Sequence, residues 1–369
     1  MTAERKRARD LGIRIGNLET GDFNAITDVE GVEVGHCTVW TDPDDDQTGA
    51  GPSRTGVTAI WPHRDDVIRN PVAAGFFSLS GTGEMTGRSE IEELGRICTP
   101  IALTNTMGIG MGYHGVCRYL IDRDPGVGED EVGFVIPVVA ECDDSYLHDA
   151  RGSHLTIDHV AAALDDAKSG PVSEGVVGSG TGMHSFRFKG GIGTSSRVLP
   201  AETGGWTVGV LTMTNFGARH RLTVDGVPIG RSFPLPGPFE DKRDEGSGIV
   251  VVATDAPLDS RQLNRLAKRA ALGLGRTGSV GADGSGELLV AFSTAYRPES
   301  ERKLSNHDVI DGYWIDPIFE AVIDATEESV LNALFMATTT TGRKGRVREA
   351  IPIDRVQEVL DASGYYSRP

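Results

Sequence analysis

The chain has 369 residues, of which 38% are hydrophobic, and its formal net charge at pH 7 is −17. A chain of this length can bury one large core or two smaller ones. The negative charge argues against a nucleic-acid partner, because phosphate binding needs a basic surface, and no apolar run approaches the roughly 20 residues of a membrane-spanning helix. We therefore expect a soluble, cytoplasmic protein without a membrane anchor.

Strands and helices alternate along the first half of the chain. Apolar runs predict strands at residues 26–34, 56–61, 100–105 and 133–140. Ser89 and Glu92 have the spacing of a capping box, which predicts a helix that begins there with the sequence IEELGR. A helical period of apolar residues predicts a second helix over residues 156–168.

The second half continues the same alternation. Strands are predicted at residues 207–215 and 284–294, and helices at residues 260–274, 317–324, 327–337 and 354–362. Asp225–Gly226 stands between two β-prone runs, which is a strong hairpin signal. Long apolar strands with helices between them predict an α/β or α+β protein whose sheets are covered on both faces.

The only candidate break in the chain is the segment 234–248, PLPGPFEDKRDEGSG, which is rich in proline, glycine and charge. It ends abruptly at Gly246–Ser247, where the apolar run IVVVAT begins. Taken alone, this junction is typical of a loop that leads into a buried strand, since turns favour serine.

Cysteines and histidines give no pattern of a metal site. The four cysteines form no CxxC pair, and the nine histidines include no HExxH motif. We expect no metal and no cofactor, and we expect the cysteines to be small buried hydrophobic residues: Cys37, Cys98, Cys117 and Cys142.

Two other functions are compatible with parts of the sequence. Gly110–Gly115 reads GMGYHG, a formal GxGxxG after a predicted strand, with Glu141 as a candidate ribose-binding acid of a dinucleotide-dependent oxidoreductase. Glu141, however, lies farther on than the roughly 20 residues expected. Acidic runs such as Asp44–Asp46 also permit a non-catalytic scaffold, although the small polar residues at strand ends indicate a pocket.

Seven separated motifs resemble, in order and approximate spacing, those of one family. They are ITDVEGVEVGH, SGTGEMTG, TPIALTNT, GSGTGM followed by FKGGIGTSSR, TNFGARHRLTVDGVPIGR, GSGIVVVATDAPL and GSGEL. The chain resembles the self-processing aminopeptidases of the DmpA type, the S58 peptidase family, which includes L-aminopeptidase/D-amidase/esterases and β-aminopeptidases.

The resemblance implies a single domain, residues 1–369, that cuts itself into an α chain (1–246) and a β chain (247–369). Ser247, after Gly246, matches the serine that becomes the N-terminal nucleophile. The family fold is a four-layer αββα sandwich that resembles the N-terminal-nucleophile hydrolases but has its own topology. The implied activity is release of N-terminal residues from short peptides, amides or esters, by a homotetramer of cleaved protomers.

Other site residues follow from the same resemblance, one position at a time. Ser285 and Glu287 match a serine and a glutamate beside the nucleophile, Asn215 matches an oxyanion-hole amide, and Tyr146 matches a tyrosine that faces the same reacting oxygen. Glu141 matches an acid that holds the substrate ammonium.

Two positions depart from the family pattern. The segment ECDDSY is more acidic than the expected ETWDGY and lacks its tryptophan, and Gly248 stands where a larger apolar residue is expected.

Overall fold

The computed structural model describes residues 4–43, 47–234, 246–295 and 308–367. Its strands are β1 (Glu33–Thr41), β2 (Ser53–Trp61), β3 (Val72–Ser78), β4 (Arg96–Ile97), β5 (Ile101–Asn105), β6 (Val138–Cys142), β7 (His184–Ser185), β8 (Phe188–Lys189), β9 (Ile192–Val198), β10 (Thr207–Asn215), β11 (Gly246–Thr254), β12 (Ser285–Ser293), β13 (Thr340–Thr341) and β14 (Val347–Arg348). Its α-helices are α1 (Arg88–Leu94), α2 (Ile109–Arg123), α3 (Ile157–Asp166), α4 (Ser260–Arg276), α5 (Asp316–Phe335) and α6 (Ile353–Ala362).

Two mixed sheets form the centre of the protein. The smaller has four strands in the order β1-β2-β5-β6, and the larger has six in the order β4-β3-β12-β11-β10-β9. Strands β5 and β6 are parallel to each other, as are β11 and β12, whereas β11 and β10 are antiparallel. The strands before and after residues 235–245 therefore belong to one hydrogen-bonded sheet.

The alternation of side chains along β11 shows how the layers are built. Ile249 and Val251 point toward the smaller sheet and pack with Leu103 of β5, whereas Val250 and Val252 join the core beneath α4 and α5. Because successive side chains of a strand face opposite ways, a strand covered on both faces must be apolar throughout. The run IVVVAT is such a strand.

Helices cover the outer face of each sheet. Helices α4 and α5 pack on the larger sheet, with Leu263 and Leu334 among their buried residues. Helices α2 and α3 pack on the smaller sheet, where Val116 and Val160 lie against Val57 of β2. The order of layers is helix, sheet, sheet, helix, which confirms the predicted four-layer αββα sandwich.

Helix α5 corrects the prediction of two helices at 317–324 and 327–337. The residues between the two predicted segments, 325–326, lie within one continuous helix, and the buried polar residues near this junction have partners. Thr326 Oγ1 donates to the Val322 carbonyl oxygen (2.7 Å), and Glu328 forms an ion pair with Arg197 of β9 (2.7 Å). Satisfied buried polar groups do not interrupt a helix.

Four local predictions were also wrong. The strand predicted at residues 26–34 is replaced by a short 3-10 helix (Ile26–Asp28) and a turn, and β1 begins only at Glu33. Helix α1 begins at Arg88 after Gly87, whose φ of 74° lies in the left-handed region, so Ser89 is inside the helix and caps nothing. Strand β6 begins only at Val138, after Pro137, which has no N–H to donate to a ladder. The Asp225–Gly226 turn forms with positive φ at both residues, but it closes a single bridge without flanking strands.

The glycines of the candidate dinucleotide motif lie inside α2 and form no phosphate-binding loop. A Cβ atom on Gly112 would come within 2.8 Å of Val139 Cγ1, and one on Gly115 within 2.6 Å of Val160 Cβ. These glycines allow α2 to pack closely on β6 and α3. The interpretation of this segment as a dinucleotide-binding motif is therefore wrong.

Two sequence features fall on residues that the structure does not describe. The acidic run Asp44–Asp46 lies outside the described residues, and so does most of the predicted break at 234–248, whose last three residues begin β11. Among the described helices, none is both long and apolar enough to cross a membrane.

Candidate active site

A cavity of about 880 Å³ opens where the C-terminal ends of β6 and β10 meet the start of β11. It brings together five residues that the sequence analysis selected, Glu141, Tyr146, Asn215, Gly246 and Ser247. Glu141 and Tyr146 lie at and after the end of β6 in the smaller sheet, and the other three lie on strands of the larger sheet, so the packing of the two sheets is what assembles them.

Ser247 is the second residue of β11, and its side chain faces the inter-sheet cavity. In the antiparallel register of β10 and β11 it lies directly opposite Asn215, whose Nδ2 is 3.4 Å from Ser247 Oγ. The amide is oriented at both ends: Nδ2 donates to the Asp143 carbonyl oxygen (2.8 Å), and Oδ1 accepts from the His184 N–H (3.2 Å). An amide N–H therefore points toward the serine hydroxyl.

Close packing explains the glycines on either side of Ser247. A Cβ atom on Gly246 would lie 2.6 Å from the Asn215 carbonyl oxygen, so no other residue fits without a shift of backbone. A Cβ atom on Gly248 would lie 3.1 Å from Phe216 Cδ1. The Phe216 ring thus occupies the space where the family pattern predicts a larger side chain at 248.

Ser285 and Glu287 lie on β12, adjacent to β11, but on the opposite face of the sheet from the Ser247 side chain. Parallel pairing sets Glu287 beside Gly248, and the Ser285 hydroxyl donates to Glu287 Oε1. Glu287 alternates in phase with Leu289, which packs beneath α4, whereas Ser247 alternates in phase with Ile249 of the inter-sheet core. Burial raises the pKa of the Glu287 carboxyl despite the hydrogen bond from Ser285.

Glu141 is a buried carboxylate at the end of β6. It accepts hydrogen bonds from the Glu84 N–H (2.9 Å) and from the Thr106 hydroxyl. Within the described ranges no lysine or arginine forms an ion pair with it. Burial, which outweighs these hydrogen bonds, raises the pKa of Glu141, and the nearby Asp143 and Glu84 charges raise it further. Such a carboxylate binds a cation strongly, because a buried charge without a partner is unfavourable.

Tyr146 lines the same cavity, held by charged and aromatic neighbours. The Arg348 guanidinium carbon lies 3.6 Å from the centre of its ring, and the His184 ring packs edge-on at 5.8 Å. Cation–π contacts of this kind fix a ring in position.

The sequence analysis missed several cavity residues. Thr106 and Thr82 belong to motifs that carried the resemblance, but no role was assigned to them. Arg346 and Arg348 belong to the basic segment RKGRVR, which is a conspicuous cluster in a chain of net charge −17. That cluster is the sequence signal that could have identified Arg346 and Arg348 as candidate site residues.

Free cysteines differ in burial. Cys142 is buried at the end of β6, as expected, whereas the other three are only partly buried. In the described part of the chain, no group of three or more histidine, cysteine or acidic side chains could hold a metal ion.

Comparison with known proteins shows the family of the chain. The family model described as peptidase family S58 matches residues 24–348. The β-peptidyl aminopeptidase BapA of Sphingosinicella xenopeptidilytica is 43% identical over 372 residues, which cover 96% of this chain and 91% of BapA.

Two solved structures are similar over nearly their whole length. A Burkholderia sp. β-aminopeptidase has a TM-score of 0.90 and 40% identity, with 99% of this chain and 100% of that chain covered. The L-aminopeptidase D-Ala-esterase/amidase of Ochrobactrum anthropi, described as a variant of the Ntn hydrolase fold, has a TM-score of 0.90 and 40% identity, with 97% and 99% covered. The chain thus belongs to peptidase family S58 and is a hydrolase of peptide and amide bonds.

Proposed function

We propose that the chain is a self-processed serine aminopeptidase that releases N-terminal residues from short peptides, amides or esters. One observation carries this proposal above the others. The hydroxyl of Ser247, faced by the Asn215 amide, lies in the same cavity as the buried carboxylate of Glu141. A nucleophile, an oxyanion donor and an ammonium site in one cavity are what aminopeptidase chemistry requires.

The first step is cleavage of the chain between Gly246 and Ser247. Ser247 Oγ attacks the Gly246 carbonyl carbon, the C–N bond breaks, and the hydroxyl proton passes to the departing nitrogen, which leaves an ester. Water then hydrolyses this ester, giving a carboxylate on Gly246, a free α-amine on Ser247 and the restored hydroxyl. Because β10 and β11 are hydrogen-bonded neighbours, the products 1–246 and 247–369 stay together as one domain.

The freed α-amine is the proposed base for later turnover. Its unperturbed pKa of about 7.7–8.0 suits proton exchange near neutral pH, and it belongs to the same residue as the attacking hydroxyl. Glu287 adjoins Gly248 from the helix-facing side of the sheet and is oriented by Ser285. We propose that this pair holds the new N-terminus and tunes its protonation.

Asn215, with Tyr146, stabilises the oxyanion that forms on the substrate carbonyl. One such donor contributes roughly 3–4 kcal/mol of transition-state stabilisation. Glu141 binds the ammonium of the substrate, which restricts cleavage to the first peptide bond. By the family resemblance, the working form is a homotetramer of cleaved protomers, and we propose separately that it is cytoplasmic.

A panel of aminoacyl p-nitroanilides tests the function directly. L-, D- and β-aminoacyl compounds are assayed in the presence of EDTA and without any nucleotide. We expect release of p-nitroaniline from at least one compound with a free amine and none from its N-acetylated counterpart, because acetylation removes the ammonium that Glu141 binds. Activity that depends on an added metal or NAD, or equal rates with the acetylated compound, would contradict the proposal.

Glu287→Gln tests the proton role of the carboxyl beside the nucleophile strand. The substitution keeps the size of the side chain and a hydrogen-bond acceptor for Ser285, but it removes the charge that holds the new α-amine. We expect a folded variant with kcat reduced by about 10²–10⁴-fold, the usual range for a lost acid–base group. Near-normal kcat on the best p-nitroanilide would remove Glu287 from the proposed site.

A further inference from the structure

Acidic groups gather at one end of the cavity. Glu141 lies against the backbone of Glu84 and the Thr106 hydroxyl. Asp143 lies close enough for its charge to raise the pKa of Glu141, as does the Glu84 carboxylate. This end suits the ammonium of the substrate.

Basic groups gather at the other end, around Tyr146 and His184. Arg346 donates from Nη1 to the Tyr146 carbonyl oxygen (3.3 Å), and the Arg348 guanidinium stacks on the Tyr146 ring. Arg187 lines the cavity beside them. Burial lowers the pKa of His184 well below its usual value, and the charges of Arg348 and Arg187 lower it further. Positive charge is therefore concentrated there.

The reacting groups stand between these two ends. Asn215 bonds to the Asp143 carbonyl oxygen on one side and to the His184 N–H on the other, while its Nδ2 faces Ser247. A substrate held by its ammonium at Glu141 and attacked by Ser247 directs its leaving group toward the arginines. The residue after the cleaved bond is the first part of the leaving group, and it extends about 3.3–3.6 Å toward them.

We propose that the arginine end is a carboxylate subsite for the leaving group. This inference rests on the proposed aminopeptidase function and names its substrate class: short peptides with a carboxylate on the residue after the cleaved bond. The carboxylate is either the C-terminal α-carboxylate of a dipeptide or an acidic side chain at that position. Arginine suits this role because its planar guanidinium donates two parallel hydrogen bonds to a carboxylate.

Arg346 is the residue to change. Its guanidinium carbon also lies 5.1 Å from the centre of the Tyr146 ring, but the residue is only half-buried. In the part of the chain that the structure describes it forms no ion pair, so its loss leaves no buried charge unpaired. Arg348 is nearly fully buried against Tyr146, and its replacement would disturb the catalytic tyrosine itself. Arg187→Gln, at a second half-buried position, provides an independent variant.

The substrates share one acyl residue X, the one that the p-nitroanilide panel shows to be cleaved fastest. X-Ala is compared with X-Ala-NH₂, and X-Asp-NH₂ with X-Asn-NH₂, so that the two sources of the carboxylate are measured separately. For each pair, kcat/KM of the substrate with the carboxylate is divided by kcat/KM of the substrate without it. This ratio is determined in the wild type, Arg346→Gln, Arg346→Lys and Arg187→Gln. Comparing ratios between enzymes cancels the intrinsic difference in leaving-group reactivity.

We expect at least one ratio to fall about tenfold in Arg346→Gln, since a hydrogen bond between charged groups is stronger than a neutral one, and to recover in part in Arg346→Lys. Arg355→Gln removes the same charge at an exposed position of α6 and should keep the wild-type ratios. Unchanged ratios in both glutamine variants, while X-p-nitroanilide is still hydrolysed, would overturn the carboxylate subsite alone. Failure of the wild type to hydrolyse any aminoacyl p-nitroanilide would overturn the proposed function and this inference with it.

Discussion

Replacing Ser247 with alanine is expected to leave a single uncut chain of 39.3 kDa that hydrolyses no aminoacyl amide. The substitution removes the only oxygen that the mechanism uses for attack, both on the Gly246 carbonyl and on the substrate. It adds no volume, and the Asn215 amide keeps its bonds to the Asp143 carbonyl oxygen and the His184 N–H. The loss of kcat should reach about 10⁴–10⁶-fold, as for other catalytic serines. Denaturing electrophoresis and the p-nitroanilide assay measure the two effects.

Ser293→Ala is the matched control. Ser293 is also a buried strand serine, whose hydroxyl donates to the Ala256 carbonyl oxygen (2.6 Å) at the far end of β12. Its loss removes that hydrogen bond and the one that Oγ accepts from the Ala295 N–H (3.2 Å), each worth about 0.5–1.5 kcal/mol of stability, and should leave processing and turnover intact. An Ser247→Ala chain that is still cut at the same bond would contradict the assignment of the nucleophile.

Glu141→Gln should separate self-processing from aminopeptidase activity. The uncut chain has no substrate ammonium, so the variant is expected to yield the same two fragments as the wild type. Its kcat/KM for aminoacyl p-nitroanilides should fall about 10²–10³-fold, because an amide cannot neutralise a bound ammonium and loss of one partner of such a pair costs several kcal/mol. Gel analysis and steady-state kinetics of the same preparation give both readouts.

The effect of Glu141→Gln on kcat/KM should depend on pH in the direction that the pKa of Glu141 sets. Burial raises the pKa of Glu141, so the carboxylate protonates at a higher pH than an ordinary glutamate. Once protonated, the wild-type side chain resembles glutamine. The ratio of wild-type to variant kcat/KM should therefore decrease toward one as the pH falls through that pKa. Glu84→Gln is the matched control, because it removes an exposed carboxylate but keeps the backbone N–H that binds Glu141. Its kcat/KM should fall less than tenfold below that of the wild type. Equal losses in the two variants would show that Glu141 has no specific role.

The sandwich architecture was predictable because apolar periodicity and the family motifs pointed the same way. The run from Ile249 to Thr254 is apolar on both faces, and the structure buries it between a sheet and two helices. Periodicity failed at α5, which is one helix where two were predicted, at 317–324 and 327–337. Thr326 bonds within the helix to the Val322 carbonyl oxygen, whereas the partner of Glu328, Arg197, comes from β9 and is invisible in local sequence.

The site itself was reachable only through the resemblance. No spacing in the sequence places Asn215 opposite Ser247, because strand register is decided by the whole sheet. For the same reason, the face of the sheet on which the Ser285 and Glu287 side chains lie was not predictable. Arg346 reaches the cavity from a short ribbon after α5, and in the sequence only the basic segment RKGRVR marks that ribbon.

The mass and N-terminal sequence of the purified wild-type chains test the central claim most directly. The account predicts two species under denaturing conditions, residues 1–246 and 247–369, and the second begins SGIVVVATDA. A wild-type preparation that stays one intact chain of 39.3 kDa and still hydrolyses aminoacyl p-nitroanilides at full rate would contradict it.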